Sequence, residues 1–167
     1  MKTFLTTIKI SLFSIAVLTT QLDCVAIKRN VHIEPQLKQP LMTGLDVLIE
    51  NNCLQLKGKR VGLITNQTGV TSKMVHNINA FTKSENVDLK AIFSPEHGLS
   101  GSVSAGEKIY NKTDSVYGIP LYSLYGNNKK PNKDMLKNLD ILIFDIQDIG
   151  IRSYTYISTM GLAMEAA

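Results

Sequence analysis

The chain has no tryptophan and only two cysteines in 167 residues. Cys24 falls in the stretch read below as a leader, which leaves Cys53 alone. One cysteine excludes an internal disulfide, a zinc site of the usual kind and a C-x-x-C redox motif. Cys53 is instead expected as a small buried hydrophobe at the end of a helix. Three phosphate, dinucleotide and hydrolase signatures are also missing. No G-x-x-x-x-G-K-[ST] loop occurs, no G-x-G-x-x-G follows the first strand, and no G-x-S-x-G elbow exists. Gly98-Leu99-Ser100-Gly101 resembles the last only superficially. His32, His76 and His97 lack the i, i+4 spacing of a zinc helix, so neither a metal nor another cofactor is expected. Charge of one sign is scarce as well. The net charge of +4 is scattered over positions such as Lys57, Lys59, Arg60, Lys83, Lys129 and Lys130. A nucleic-acid partner wants a clustered basic stripe with interleaved aromatics, and none is present. The mild basicity suits an anionic polymer such as a cell wall.

What is present is globular. Hydrophobic residues make up 44% and charged residues 19%, which excludes disorder and fibrous repeats. The apolar run 10–18 stands behind Lys2 and Lys9 and is too short for a membrane span of ~20 residues. Cys24-Val25-Ala26 then offers small residues at the positions a signal peptidase reads. Residues 1–26 therefore read as a signal peptide cleaved after Ala26, with export to the periplasm or the exterior. A lipid anchor on Cys24 is disfavoured by the neighbouring Asp23. Residues 27–42 are polar, carry Pro35 and Pro40, and read as a linker or arm. One domain is expected over 43–167.

Within it, Leu45, Leu48 and Ile49 fall at helical spacing behind Thr43, a candidate cap, giving a helix to about residue 52. Strands are expected at 60–65 and 88–94, separated by a helix at 73–83 with Met74, Ile78 and Phe81 on one face. A Gly/Ser-rich loop covers 95–118, followed by a strand at 119–124. A short helix within 131–139 turns Met135, Leu136 and Leu139 inward. The most apolar strand is 140–145, and a helix is expected at 153–166. This alternation predicts an α/β fold, a mostly parallel sheet with flanking helices. The run ILIF suggests a strand covered on both faces. The pattern stops inside a helix at Met164-Glu165-Ala166-Ala167, which reads as a truncated product or half of a larger protein, its sheet incomplete at the C-terminus.

In open α/β sheets the ligand site lies beyond the carboxyl ends of the strands. Three such ends collect polar groups. The first holds Asn66 and Gln67, the second Glu96 and His97, and the third Asp145, Gln147, Asp148, Arg152, Tyr154 and Tyr156. Glu96 follows an apolar strand and Pro95, a setting expected to desolvate it and raise its pKa toward that of a general acid. His97 is the alternative proton carrier, and Asp145 or Asp148 the second carboxyl. Each has a structural alternative. Glu96 can cap a turn, Arg152 can brace Asp145 or Asp148 instead of gripping a carboxylate, and the tyrosines can fill core instead of stacking on a sugar. Of Tyr117, Tyr122 and Tyr125, alternation places at least one in the core.

The ordered runs GKRVGLITNQTGV (58–70), FSPEHGL (93–99), IPLYSLYG (119–126) and FDIQDIGIRSYTYISTM (144–160) resemble the exo-β-N-acetylmuramidase family of the NamZ type. The resemblance runs from about residue 44 to the end. It implies a Rossmann-like catalytic domain followed by a smaller one, acting on terminal N-acetylmuramic acid of peptidoglycan fragments. Glu96 takes the place of the family's proposed catalytic glutamate. The segment with Asp145, Gln147, Asp148, Gly150, Arg152, Tyr154 and Tyr156 takes that of the cleft lining, and Asn66–Gly69 that of the TNQTG turn. Ser100 stands where the family commonly has an aromatic or basic residue, and family members are more than twice as long. The leading reading is a glycoside hydrolase, or the N-terminal part of one, with peptidoglycan-derived sugars or muropeptides as partners. A non-catalytic exported α/β chain that binds wall sugars is the alternative. An enzyme for an anionic small molecule is a third.

Overall fold

The computed structural model describes residues 41–107 and 111–167. The expected signal peptide, and the expected arm up to residue 40, lie outside them. The first helix, α1 (Gly44–Glu50), opens on a capping box. Thr43 Oγ1 accepts from Asp46 N, and Asp46 Oδ2 accepts from Thr43 N at 2.8 Å. Each removes an orphan donor that a short helix has no other way to satisfy. A 3₁₀ turn (Leu54–Leu56) follows, entered through Cys53 in the left-handed region (φ 52°) and buried as expected. Strand β1 (Arg60–Thr65) comes next, then α2 (Asn77–Thr82), β2 (Asp88–Ser94), the short β3 (Lys112–Thr113) and β4 (Pro120–Ser123). The chain continues through α3 (Lys133–Leu136) and β5 (Ile141–Asp145) to α4 (Tyr156–Ala166).

The sheet runs β3-β4-β2-β1-β5. β4, β2, β1 and β5 are mutually parallel, and β3 is antiparallel to β4. From β1 the chain steps outward to β2 and β4, then returns to the other side of β1 as β5. The reversal sits between β1 and β5, where a doubly wound sheet leaves a crevice at its carboxyl edge. At the opposite edge Arg60 clasps Asp140 through two side-chain bonds of 2.9 and 2.7 Å.

Strand alternation divides the core. Leu63, Ile78, Phe81 and Ile92 pack on the α1/α2 face, and Ile64, Phe93, Leu124, Met135 and Ala163 on the α3/α4 face. Phe81 and Phe93 are completely buried, and such side chains contribute roughly 1.5–3 kcal/mol each.

The structure corrects one expectation and bears out another. Helix α2 begins at Asn77, not at 73, and Met74 lies outside it in the left-handed region (φ 59°), exposed. Thr71 Oγ1 accepts from Lys73 N and Val75 N, and Val70 bridges His76, so a closed turn holds the backbone groups a helix start would need. The most apolar strand, β5, is covered on both faces as expected: Ile141 and Ile143 pack against the α1/α2 cluster, Leu142 and Phe144 against the α3/α4 cluster. It lies at the sheet edge, half-buried at every position, with no strand on its outer side among the described residues.

Candidate functional site

The carboxyl ends of β1 and β5 are tied by one buried amide. Thr65 and Asp145 are register partners, and Asn77, fully buried at the start of α2, stands before both. Its Nδ2 donates to Thr65 Oγ1 and to Asp145 Oδ2, each at 2.7 Å, while Thr65 Oγ1 donates to the Asp145 carbonyl at 3.0 Å. Asp145 is thus held as a brace on the α2 face. The adjoining turn is tied just as closely. Asn66 Oδ1 accepts from Thr68 N and Thr68 Oγ1, and Thr68 Oγ1 in turn accepts from Gln147 N at 2.9 Å. Asn66 is buried with its Nδ2 unpartnered, and its side chain neighbours the Tyr156 phenol.

Glu96 belongs to a second group, gathered toward α4. Thr155 Oγ1 donates to Glu96 Oε2 at 2.9 Å, and the Tyr125 phenol and Gly106 N–H face the same carboxylate. Burial is the largest single influence on Glu96 and pushes its pKa up. The hydrogen bonds from Tyr125 and Thr155, the His97 charge and the Gly106 N–H together carry it below the usual glutamate value. The expected upward shift is therefore overturned, because three donors solvate the anion inside the protein. In return Glu96 holds the Tyr125 phenol above its usual pKa.

His97 adopts the left-handed region (φ 69°), a strained backbone for a residue with a Cβ. Its Nδ1 lies 2.9 Å from the Val103 carbonyl, which accepts only from an N–H, and Val103 N donates back to the His97 carbonyl. The loop thereby fixes the ring with the proton on Nδ1 and leaves Nε2 free.

The third strand end is open. Gln147, Asp148, Arg152 and Tyr154 are exposed, and Asp148 Oδ1 accepts from Gly150 N at 2.7 Å. Among the described residues Arg152 forms no ion pair, so neither Asp145 nor Asp148 braces it. Tyr154 and Tyr156 meet edge to face at 5.6 Å. Tyr156 is buried, and burial, with the charges of Tyr154, Glu96 and Asp148, raises its pKa. Of the strand-end residues, the structure brings Asn66, Glu96, His97, Asp148, Tyr154 and Tyr156 toward one region. Asp145 is committed to Asn77. Gln67 lies across on the α2 side, where a Cβ on Gly101 would meet its side chain at 2.3 Å. Among the described residues no three His, Cys, Asp or Glu side chains converge to hold a metal ion.

Sequence reasoning missed Tyr125, Thr155 and Asn77. Tyr125 follows β4, a fourth strand end that the strand-end rule covers. Thr155 occupies the N-cap position of α4 but makes no cap bond, its hydroxyl being given to Glu96.

The sequence model described as exo-β-N-acetylmuramidase NamZ, N-terminal, matches residues 61–167. A Bacillus subtilis (strain 168) protein, peptidoglycan β-N-acetylmuramidase NamZ, is 49% identical over 130 residues, which are 78% of this chain and 31% of that protein. Two DUF1343 family crystal structures from Bacteroides fragilis NCTC 9343 share the fold. One has a TM-score of 0.68 at 53% identity, covering 75% of this chain and 31% of its own. The other has a TM-score of 0.60 at 34% identity, covering 77% and 31%. The chain thus spans about a third of the length of the relatives it matches.

Proposed function

The chain belongs to the NamZ exo-β-N-acetylmuramidase family, and we propose that its carboxyl edge serves an exo-acting glycoside hydrolase that removes terminal N-acetylmuramic acid from peptidoglycan fragments. The observation that carries the reading is Glu96, an ionised carboxylate held by Tyr125, Thr155 and Gly106 beside the β1/β5 crevice. Glycoside cleavage passes through an oxocarbenium-like transition state. Held as an anion, Glu96 opposes the positive charge that builds on the anomeric carbon and ring oxygen. His97, with Nε2 free, carries a proton to the leaving oxygen as the glycosidic bond breaks. Water forms the new bond to the anomeric carbon and returns a proton to the histidine.

The lactyl carboxylate distinguishes N-acetylmuramic acid from N-acetylglucosamine, and Arg152, a planar cation in no ion pair among the described residues, is suited to grip it. Tyr154 offers its exposed ring to the sugar, with Asn66, Gln147 and Asp148 as polar contacts, while Gln67 stands apart on the α2 side. Asp145 and Tyr156 position these groups from behind. Export through residues 1–26 completes the reading, and fractionation of cells producing the chain tests it: cytoplasmic, uncleaved protein would refute it.

The deciding experiment is hydrolysis of a chromogenic N-acetylmuramide by wild type and Glu96→Gln, with folding followed by circular dichroism. The variant keeps shape and loses the charge, so turnover falls ~10²–10⁴-fold while sugar binding persists. Near wild-type turnover by the folded variant refutes the role of Glu96. Sugar binding without turnover by wild type favours the non-catalytic binding reading of this chain.

A further inference from the structure

Among the described residues, three of the four α-helices open in the same way. Thr43, His76 and Asn132 stand at their N-caps in extended backbone, and each side chain accepts from a backbone N–H of the first turn. Helix α4, the longest of them, does not. Thr155 holds its N-cap position, a residue type suited to capping, yet its side chain makes no cap bond and its backbone is already helical (φ −90°, ψ −8°). The hydroxyl goes elsewhere, donating to Glu96 Oε2 at 2.9 Å. It stands on a firm base. The Thr155 carbonyl accepts from Thr159 N and Thr159 Oγ1, Thr159 is buried, and Ala163 packs further along α4 in the cluster of Ile64, Phe93 and Leu124. Glu96 has no such base in its own segment. Pro95 before it and the left-handed His97 after it take the side chain out of the alternation of β2.

We propose that Thr155 is a positioning residue for the hydrolysis: anchored by α4, its hydroxyl fixes where the Glu96 carboxylate points. The proposal rests on the glycosidase reading for turnover and adds the group that holds its carboxylate in place. An O–H that donates to a carboxylate stabilises the charged form, so removing it raises the pKa of Glu96. His97 beside it, the Tyr125 phenol after β4 and the Gly106 N–H still face the carboxylate, and Tyr156 at the start of α4 feels its charge together with that of Asp148. The rise is therefore partial, and the carboxylate loses its direction before it loses its charge.

The test pairs an NMR titration of the Glu96 side-chain carboxyl in the full chain, assigned by its loss in Glu96→Gln, with the pH profile of N-acetylmuramide hydrolysis. Thr155→Val keeps the shape and removes the hydroxyl. The Glu96 titration should move upward, the acid limb of kcat/KM with it, and kcat should fall roughly tenfold with KM held within about twofold. Thr155→Ser keeps the hydroxyl and should restore the wild-type titration and turnover. Thr155→Asp separates positioning from capping. Aspartate caps helices at least as well as threonine, but here it sets a second carboxylate against Glu96, so turnover should fall and the titration rise while α4 melts no earlier. An unmoved titration in Thr155→Val, or wild-type behaviour of Thr155→Asp, overturns the proposal alone; if the valine variant does not fold, the serine and aspartate variants decide. Absence of turnover by wild type overturns the hydrolase reading, and the titration still decides whether Thr155 governs Glu96.

Discussion

Gly69 sits against the hydrogen bonds that join β1, α2 and β5, and replacing it by alanine should break them. A Cβ there would lie 2.2 Å from Asn77 Nδ2, 2.4 Å from Thr65 Oγ1 and 2.9 Å from the Asp145 carbonyl oxygen. The backbone has no room to retreat, because Gly69 N donates to the Asn66 carbonyl and the Gly69 carbonyl accepts from Asn77 N at 2.8 Å. The amide of Asn77 must therefore move off Thr65 and Asp145. The bond to the Asp145 carboxylate is charge-assisted, and such bonds contribute about 1.5–3 kcal/mol; a buried amide left unpaired costs a further ~1–3 kcal/mol. The expected loss is about 3–5 kcal/mol. That is a large fraction of a typical domain's 5–15 kcal/mol, and it should lower Tm by roughly 10–20 °C. Gly161 provides the opposite case. It lies inside α4 with nothing within 4 Å of its added Cβ, so Gly161→Ala should be stabilising by ~0.5–1 kcal/mol. Thermal melts followed by circular dichroism compare the two. A Gly69→Ala melt within about 2 °C of wild type, or equal losses for both, would refute the argument.

Two further outcomes follow from named contacts. Asp46 closes the α1 capping box and also accepts from Ser72 N and Oγ, and its pKa is lowered from 3.8 to about 2, chiefly by the Thr43 backbone hydrogen bond. A depressed carboxyl contributes stability above its unfolded pKa and loses it as pH falls through the folded one. The Tm gap between wild type and Asp46→Ala should therefore be full at neutral pH, shrink from pH 3.8 downward and be gone below about pH 2; a gap that survives there contradicts the assignment. Arg152→Lys should weaken N-acetylmuramic acid while sparing N-acetylglucosamine, since lysine keeps the charge but loses the two-pronged geometry. Equal weakening of both sugars, or unfolding, would place Arg152 in a structural role.

Legibility along the chain followed the number of forces agreeing at each position. β1 and β2 were readable to the residue because their apolar runs are buried on both faces and bounded by polar ends. The start of α2 was not. The pattern Met74, Ile78, Phe81 has helical spacing, but side-chain bonds from Thr71 close a turn first and leave Met74 exposed at 77%. β5 was readable as a strand with two covered faces, but not as the edge of the sheet, since an apolar run marks a strand without saying what lies beside it. Glu96 was found from its place after a strand. Its pKa direction was not, because the donors that lower it, Tyr125 and Thr155, stand far along the chain. Such partners come together only when β4 and α4 are in place.

The division of the carboxyl edge into two faces was half legible by the same alternation that divides the core. Ile64 and Phe144 share one cluster, Leu63 and Ile143 the other, and Thr65 and Asp145, one step further, fall together on the α2 face. Counting from Asp145 thus leads to Asn77 and away from α4. The count cannot be carried from β2 to Glu96 in this way. Ser94 keeps the α2 side, but Pro95 ends the strand and His97 turns the backbone into the left-handed region, so the carboxylate between them leaves the strand's alternation and reaches Thr155. Two carboxylates that follow parallel strands at one edge therefore do different work. Asp145 answers to the period of its strand and locks the sheet. Glu96 stands outside that period, held by Thr155 and Tyr125, and Asp148 is the aspartate whose charge Tyr156 feels together with that of Glu96.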